Sequence, residues 1–180
     1  MATLDPAAMG PSDRFAFDET SPAQRASLGA LPFDLTVAPG ILAFHAMPTD
    51  DDSYLLDEID GGRLVRGHRD RIAERLGKVD ARLVLCGHSH RPDIVHLPGG
   101  PIIVNPGSVG CPAYVDGTYV SESGSPHARY AMIERRPNGE FLLDLTAVSY
   151  EHEAAARRAE TNGRPEWAHG LRTGFMPPLA

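Results

Sequence analysis

A chain of 180 residues, 42% hydrophobic and 23% charged, has the composition of an ordinary globular protein and enough length for one domain with a sizeable core. Its formal net charge of −7, with no basic stripe, argues against a nucleic-acid-binding face, because nothing concentrates cations along a surface. No apolar run approaches membrane-spanning length, and the first residues lack the basic-then-apolar layout of a secretion signal. The expectation is a cytoplasmic protein in which Cys86 and Cys111 stay reduced.

In chain order, residues 1–20 read as an irregular lead, broken by Pro6, Gly10 and Pro11. Ser21-Pro22-Ala23-Gln24 has the capping-box pattern with proline at the first helical position, and predicts a short helix to about Ala30. Phe33 to Val37 and Ile41 to His45 read as two strands joined at Ala38-Pro39-Gly40. An acidic loop, Asp50-Asp51-Asp52, follows. Asp70 is placed to cap a helix that buries Ile72 and Leu76 and closes at Gly77.

Arg82 to Cys86, Ile94 to Leu97 and Ile102 to Val104 read as further strands, the last two joined at Pro98-Gly99-Gly100. Residues 46–63 and 111–127 read as loops. Arg129 to Glu134 and Phe141 to Ser149 alternate well enough to be a hairpin around Asn138-Gly139. Helices are expected from Glu151 to about Thr161 and from Pro165 to Leu171, with 174–180 a frayed tail. No linker divides the chain, so residues 1–180 read as a single domain.

The chemistry concentrates in two strand-to-loop junctions. Leu83-Val84-Leu85-Cys86 runs into Gly87-His88-Ser89-His90-Arg91-Pro92, and Ile102-Ile103-Val104 runs into Asn105-Pro106-Gly107-Ser108-Val109-Gly110. A buried strand ending in glycine and followed by two histidines is a good way to aim imidazole nitrogens at a cation. Ligands in open α/β sheets collect at the carboxyl ends of strands. His45, at another strand end, is a third candidate ligand, while His68, His96, His127, His152 and His169 lie in helical, strand or loop contexts that suggest no site. Tyr54, Tyr114 and Tyr119 read as packing residues, with stacking on a substrate as the alternative.

From about Pro32 to Tyr150 the paired Gly-His-Ser-His and Asn-Pro-Gly-Ser-Val motifs, with His45 upstream, resemble the calcineurin-like metallophosphoesterase superfamily, and within it the compact bacterial and archaeal phosphodiesterase branch. That resemblance implies an α/β fold, a four-layer α/β/β/α sandwich truncated at its N-terminus. It also implies two divalent metals (manganese, nickel, zinc, iron or magnesium) at the strand ends. His45 and His88 would hold one metal and His90 the other, with Gly87, Asn105 and Ser108 supporting the site. The implied reaction is hydrolysis of a small phosphomonoester or phosphodiester by in-line attack of metal-activated water.

The family's Asp-x-His, Gly-Asp and Gly-Asn-His motifs are missing, and with them the bridging carboxylate and the histidine that assists the leaving group. The chain thus resembles the C-terminal two-thirds of such an enzyme. The resemblance therefore implies one metal or none here, no identifiable catalytic acid or base, and impaired activity in the isolated chain. The alternative is a non-catalytic interaction scaffold or decayed fragment on the same fold. Loss of neighbouring strands also predicts that the sheet containing Leu83–Cys86 exposes an apolar edge, with either homo-oligomers formed across it or low stability as the result.

Overall fold

The computed structural model describes residues 5–178. They fall into two compact units, Met1–Phe33 and Asp34–Ala180, each described by itself. In the first unit Asp5 caps a 3-10 turn at Pro6–Ala8, and helix α1 spans Pro11–Glu19. The irregular lead is thereby corrected: Pro11 is pre-set for the first helical turn, and Asp13 lies where the helix dipole favours a carboxylate. Helix α2, Pro22–Gly29, carries the expected reciprocal capping box between Ser21 and Gln24. Residues 1–4 of that lead lie outside the described residues.

The second unit is mixed α/β and contains two mixed sheets. The first has strand order β1-β2-β5-β7-β6, from β1 (Asp34–Ala38), β2 (Ile41–Phe44), β5 (Leu83–Leu85), β6 (Asp93–His96) and β7 (Ile102–Asn105). Strands β2, β5 and β7 run parallel, while β1 and β6 flank them antiparallel. Leu83–Leu85 is therefore interior to its sheet, between β2 and β7. The outer position belongs to β1, where Leu35 and Val37 are more than half exposed at 55% and 53%.

The second sheet, ordered β3-β4-β9-β8, was not foreseen. Strands β3 (Asp57–Asp60) and β4 (Arg63–Arg66) form one hairpin around Gly61 and Gly62; β8 (Ala113–Asp116) and β9 (Tyr119–Glu122) form another around Gly117. Strands β3, β8 and β9 fall in stretches read as loops, and β4 starts at the last residue of one. These four-residue strands are too short and too polar for alternation to register.

Helix α3 (Arg69–Leu76) covers one face of the first sheet. Ile72 and Leu76 pack there with Phe44, Val84, Cys86, Val95 and Ile103, all nearly inaccessible to water. Its N-cap is His68, whose ring accepts from the Asp70 amide at 3.4 Å; Asp70, expected as the cap, sits in the first turn. The opposite face lies against the antiparallel hairpin β10 (Ala128–Arg135) and β11 (Phe141–Val148), turned at Asn138-Gly139 as expected. The hairpin runs along the sheet, since Arg129 N donates to Ser108 O at one end and Arg135 to Pro39 O at the other.

Helices α4 (His152–Thr161) and α5 (Pro165–Thr173) pack through Ala156 and Ala168, and α5 rests on β8, where Gly170 faces Ala113. The frayed tail is corrected too. Gly174 ends α5 in the left-handed conformation, where an added Cβ would lie 2.2 Å from the Ser125 nitrogen. Met176 is buried, and its amide donates to Glu122. Residues 179–180 lie outside the described residues.

Candidate active site

Parallel β2, β5 and β7 end on one rim, which brings His45, the Gly87–Pro92 loop and Asn105 together. The Gly87 amide donates to His45 O at 2.8 Å, lacing the first two junctions. His88 and His90 both have left-handed backbones, φ 64° and 59°. For residues with a Cβ this costs about 1–2 kcal/mol each, and it persists only where the surroundings enforce it.

Ser89 between them supplies the enforcement. It is buried, its amide donates to Gly87 O, and its carbonyl accepts from Ser121 Oγ at 2.5 Å. Asn105, 1% exposed, donates through Nδ2 to Gly87 O and Ser89 Oγ, while its Oδ1 accepts from Gly107 N. Asn105 therefore acts on the histidines through the backbone that carries them. Ser108 Oγ holds its own loop, accepting from the Cys111 amide at 3.0 Å.

His45 Nε2 and His88 Nδ1 lie 3.2 Å apart. His88 Nε2 lies 3.0 Å from Asp52 O. A carbonyl only accepts, so Nε2 carries the proton in that contact and Nδ1 presents its lone pair toward His45. Tyr54 stacks on the same ring, with centroids 4.7 Å apart and planes 22° apart. His90 donates from Nδ1 to Cys111 O at 2.9 Å, which leaves Nε2 as its acceptor. Burial, ahead of the neighbouring His88 and His45, lowers the His90 pKa and so favours the neutral ring.

Two imidazole nitrogens on one tetrahedral cation, each ~2.0–2.1 Å from it, stand ~3.3 Å apart, so the His45–His88 pair fits a single ion. A two-metal centre does not fit. In the 50–52 loop Asp50 turns its carboxylate back onto the Asp52 and Ser53 amides. Among the described residues no group of three or more His, Cys, Asp or Glu side chains converges to hold a metal.

Other features of the rim were not legible in sequence. Arg91 reaches from the histidine loop to buried Asp57 on β3 at 2.8 Å and so ties the loop to the second sheet. The Tyr54 hydroxyl meets those of Tyr114 and Tyr119 at 2.9 and 3.0 Å, and Tyr119 also donates to Asp116. A cleft of about 450 Å³ opens between the first sheet and β10, lined by Leu85, Val104, Ala131 and Ile133, with His88 and His90 at its rim.

Residues 40–122 match the calcineurin-like phosphoesterase superfamily domain, a stretch that contains His45, both loop histidines, Asn105 and Ser108. No curated protein matches the chain. No helix among the described residues is long and apolar enough to cross a membrane.

Proposed function

Starting from that match, we propose that the His45–His88–His90 rim is the active site of a cytoplasmic phosphate-ester hydrolase assisted by a divalent cation, with turnover by this chain weak. The observation that carries the reading is the convergence of His45 Nε2 and His88 Nδ1 at 3.2 Å, on the rim where α/β sheets collect ligands. His45 and His88 would hold the cation, which when bound supplies Lewis acidity at a phosphoryl oxygen. His90 stands at the rim of the cleft and does not join that pair, and Asn105 holds the loop in its left-handed course. Weak turnover follows from the ligand set, since neutral imidazoles alone do not offset the charge of two adjacent dications. The hairpin β10–β11, lying on the sheet face opposite α3, stands where the second central layer of an α/β/β/α sandwich would be.

The direct test is release of p-nitrophenol from bis(p-nitrophenyl) phosphate with manganese or nickel. Slow, cation-dependent release that falls to background in His88→Ala is expected. No stimulation by any divalent cation, or an unchanged His88→Ala, would sink the hydrolase reading; fast turnover abolished by His88→Ala would sink the impairment alone. A non-catalytic scaffold is the second reading. It is favoured by the outer face of the hairpin, where Tyr130, Met132, Leu142 and Val148 are exposed. Bound metal in protein purified without a tag supports the hydrolase, and none supports the scaffold.

A further inference from the structure

Arg129 takes no part in the hydrogen bonds that hold the histidines, yet it lines the same cleft as His88 and His90. It is the first residue of β10 to face the sheet, anchored by its amide to Ser108 O at 3.0 Å. Its aliphatic stem crosses Gly107, where an added Cβ would stand 3.0 Å from Arg129 Cδ and 3.1 Å from Arg129 Cβ. Only a glycine, here at φ +86°, lets the stem lie that close to the loop. At the far end Nη2 donates to Ser125 Oγ at 2.8 Å and more weakly to Ser123 O, so the guanidinium is fixed in place.

Among the described residues no carboxylate pairs with Arg129, a trait it shares with Arg25, Arg82, Arg135, Arg136 and Arg158. What sets it apart is its Nε, which is buried and has no hydrogen-bond partner. A buried donor on a permanently charged group is costly to leave unmet and calls for a group that completes it. The neighbouring wall is apolar: Leu85 and Val104 on the sheet, Ala131 and Ile133 on the hairpin.

We infer that this cleft is a binding subsite for phosphate esters with an apolar ester group, aryl or short alkyl, in which Arg129 anchors the phosphate. The phosphate lies at the rim between Arg129 and the histidines, and the apolar group lies beneath β10. The choice of a phosphate rests on the hydrolase reading above; the cationic end and the apolar wall do not. A charged donor buried beside apolar surface selects an amphipathic anion over a wholly polar one, because only the former satisfies both ends.

The test uses the intact chain in EDTA, without turnover, and titrates it with phenylphosphonate, methylphosphonate and benzoate. Phenylphosphonate should bind at least about tenfold more tightly than methylphosphonate, and Arg129→Met should lose at least about tenfold of that affinity. The Arg129 Nε–H resonance should move downfield on binding. Ala131→Trp, which fills the apolar part of the cleft and keeps the arginine itself, should abolish the phenyl preference and spare methylphosphonate binding. Equal affinities for the two phosphonates would overturn the inference. So would an unmoved Nε–H signal, a folded Arg129→Met with unaltered binding, or a phenyl preference that survives Ala131→Trp. Benzoate binding as tightly as phenylphosphonate would remove the phosphate assignment. Phenylphosphonate binding without any ester hydrolysis would defeat the hydrolase reading and leave the subsite standing; hydrolysis without aryl preference would do the reverse.

Discussion

The two faces of the five-stranded sheet are built from alternating residues of the same strands, yet they are finished differently. Toward α3, Val84 and Ile103 are wholly excluded from water in a continuous cluster with Ile72, Leu76 and Phe44. Toward the hairpin, Leu83 and Val104 are buried, but half-buried Leu85 borders a 450 Å³ cleft. Alternation along a strand fixes which residues point each way; the covering element decides whether the space is filled. The sealed face supplies stability, and the incompletely filled face leaves room beside the histidines.

The sharpest way to break this comparison is a pair of truncations. Ile103→Ala should cost about 2–5 kcal/mol in urea denaturation, because it removes a fully buried side chain and leaves a void. Ile133→Ala, on the cleft side, should cost no more than about 1 kcal/mol, since it enlarges a space that water already reaches. Equal losses would mean that the hairpin side is as closely packed as the helix side.

Asn105 lies where the sheet meets the rim, so its truncation tests whether the site has its own support. Asn105→Ala removes two donated bonds and one accepted bond around Gly87, Ser89 and Gly107. Leaving those buried groups unmet should cost about 1–3 kcal/mol. It should also release His88 and His90 from their left-handed conformations, read as broadened imidazole signals at a temperature where the fold persists. Sharp, unshifted histidine signals would show that Ser89 and Ser121 suffice.

What could be read from sequence divides along similar lines. The capping box at Ser21, the Asn138-Gly139 turn and the apolar runs entering Gly87 and Asn105 are local signals, and the elements they predict are present. The β3–β4 and β8–β9 pairs escaped because Asp57-Glu58-Ile59-Asp60 shows neither strict alternation nor an apolar run. Their sheet is assembled by distant partners such as Arg63 and Val120. Within the site, the histidines announced themselves by spacing. Ser89, Ser121, Arg91 and Arg129 gave no comparable signal, since what sets each apart is a partner many residues away or, for Arg129, a buried Nε without one.

Titration offers a smaller effect that differs in sign between regions. In the α4–α5 pair, hydrogen bonds from Arg172 to Glu153 and Glu160 come first in lowering both carboxyl pKa values from the ordinary 4.5. Carboxyls lowered in the fold stabilise it above their unfolded pKa, and that stabilisation is lost as pH falls through the lowered values. Asp57 on β3 is the opposite case. Burial outweighs the hydrogen bond from Ser89 and the charges of Arg91, Arg66 and Arg75, and raises its pKa from the ordinary 3.8. A raised carboxyl favours the fold below its unfolded pKa, and that contribution is lost as pH rises through the raised value. From pH 6 to pH 3, amide exchange corrected for its intrinsic rate should therefore accelerate in α4 and α5 but not in β3. Arg172→Met should remove the α4–α5 acceleration, and Asp57→Asn should leave it in place. Because these glutamates lie at the surface, the acceleration should also shrink in high salt. Parallel acceleration in β3 and α4 would show instead that the sheet and the helix pair open as one unit.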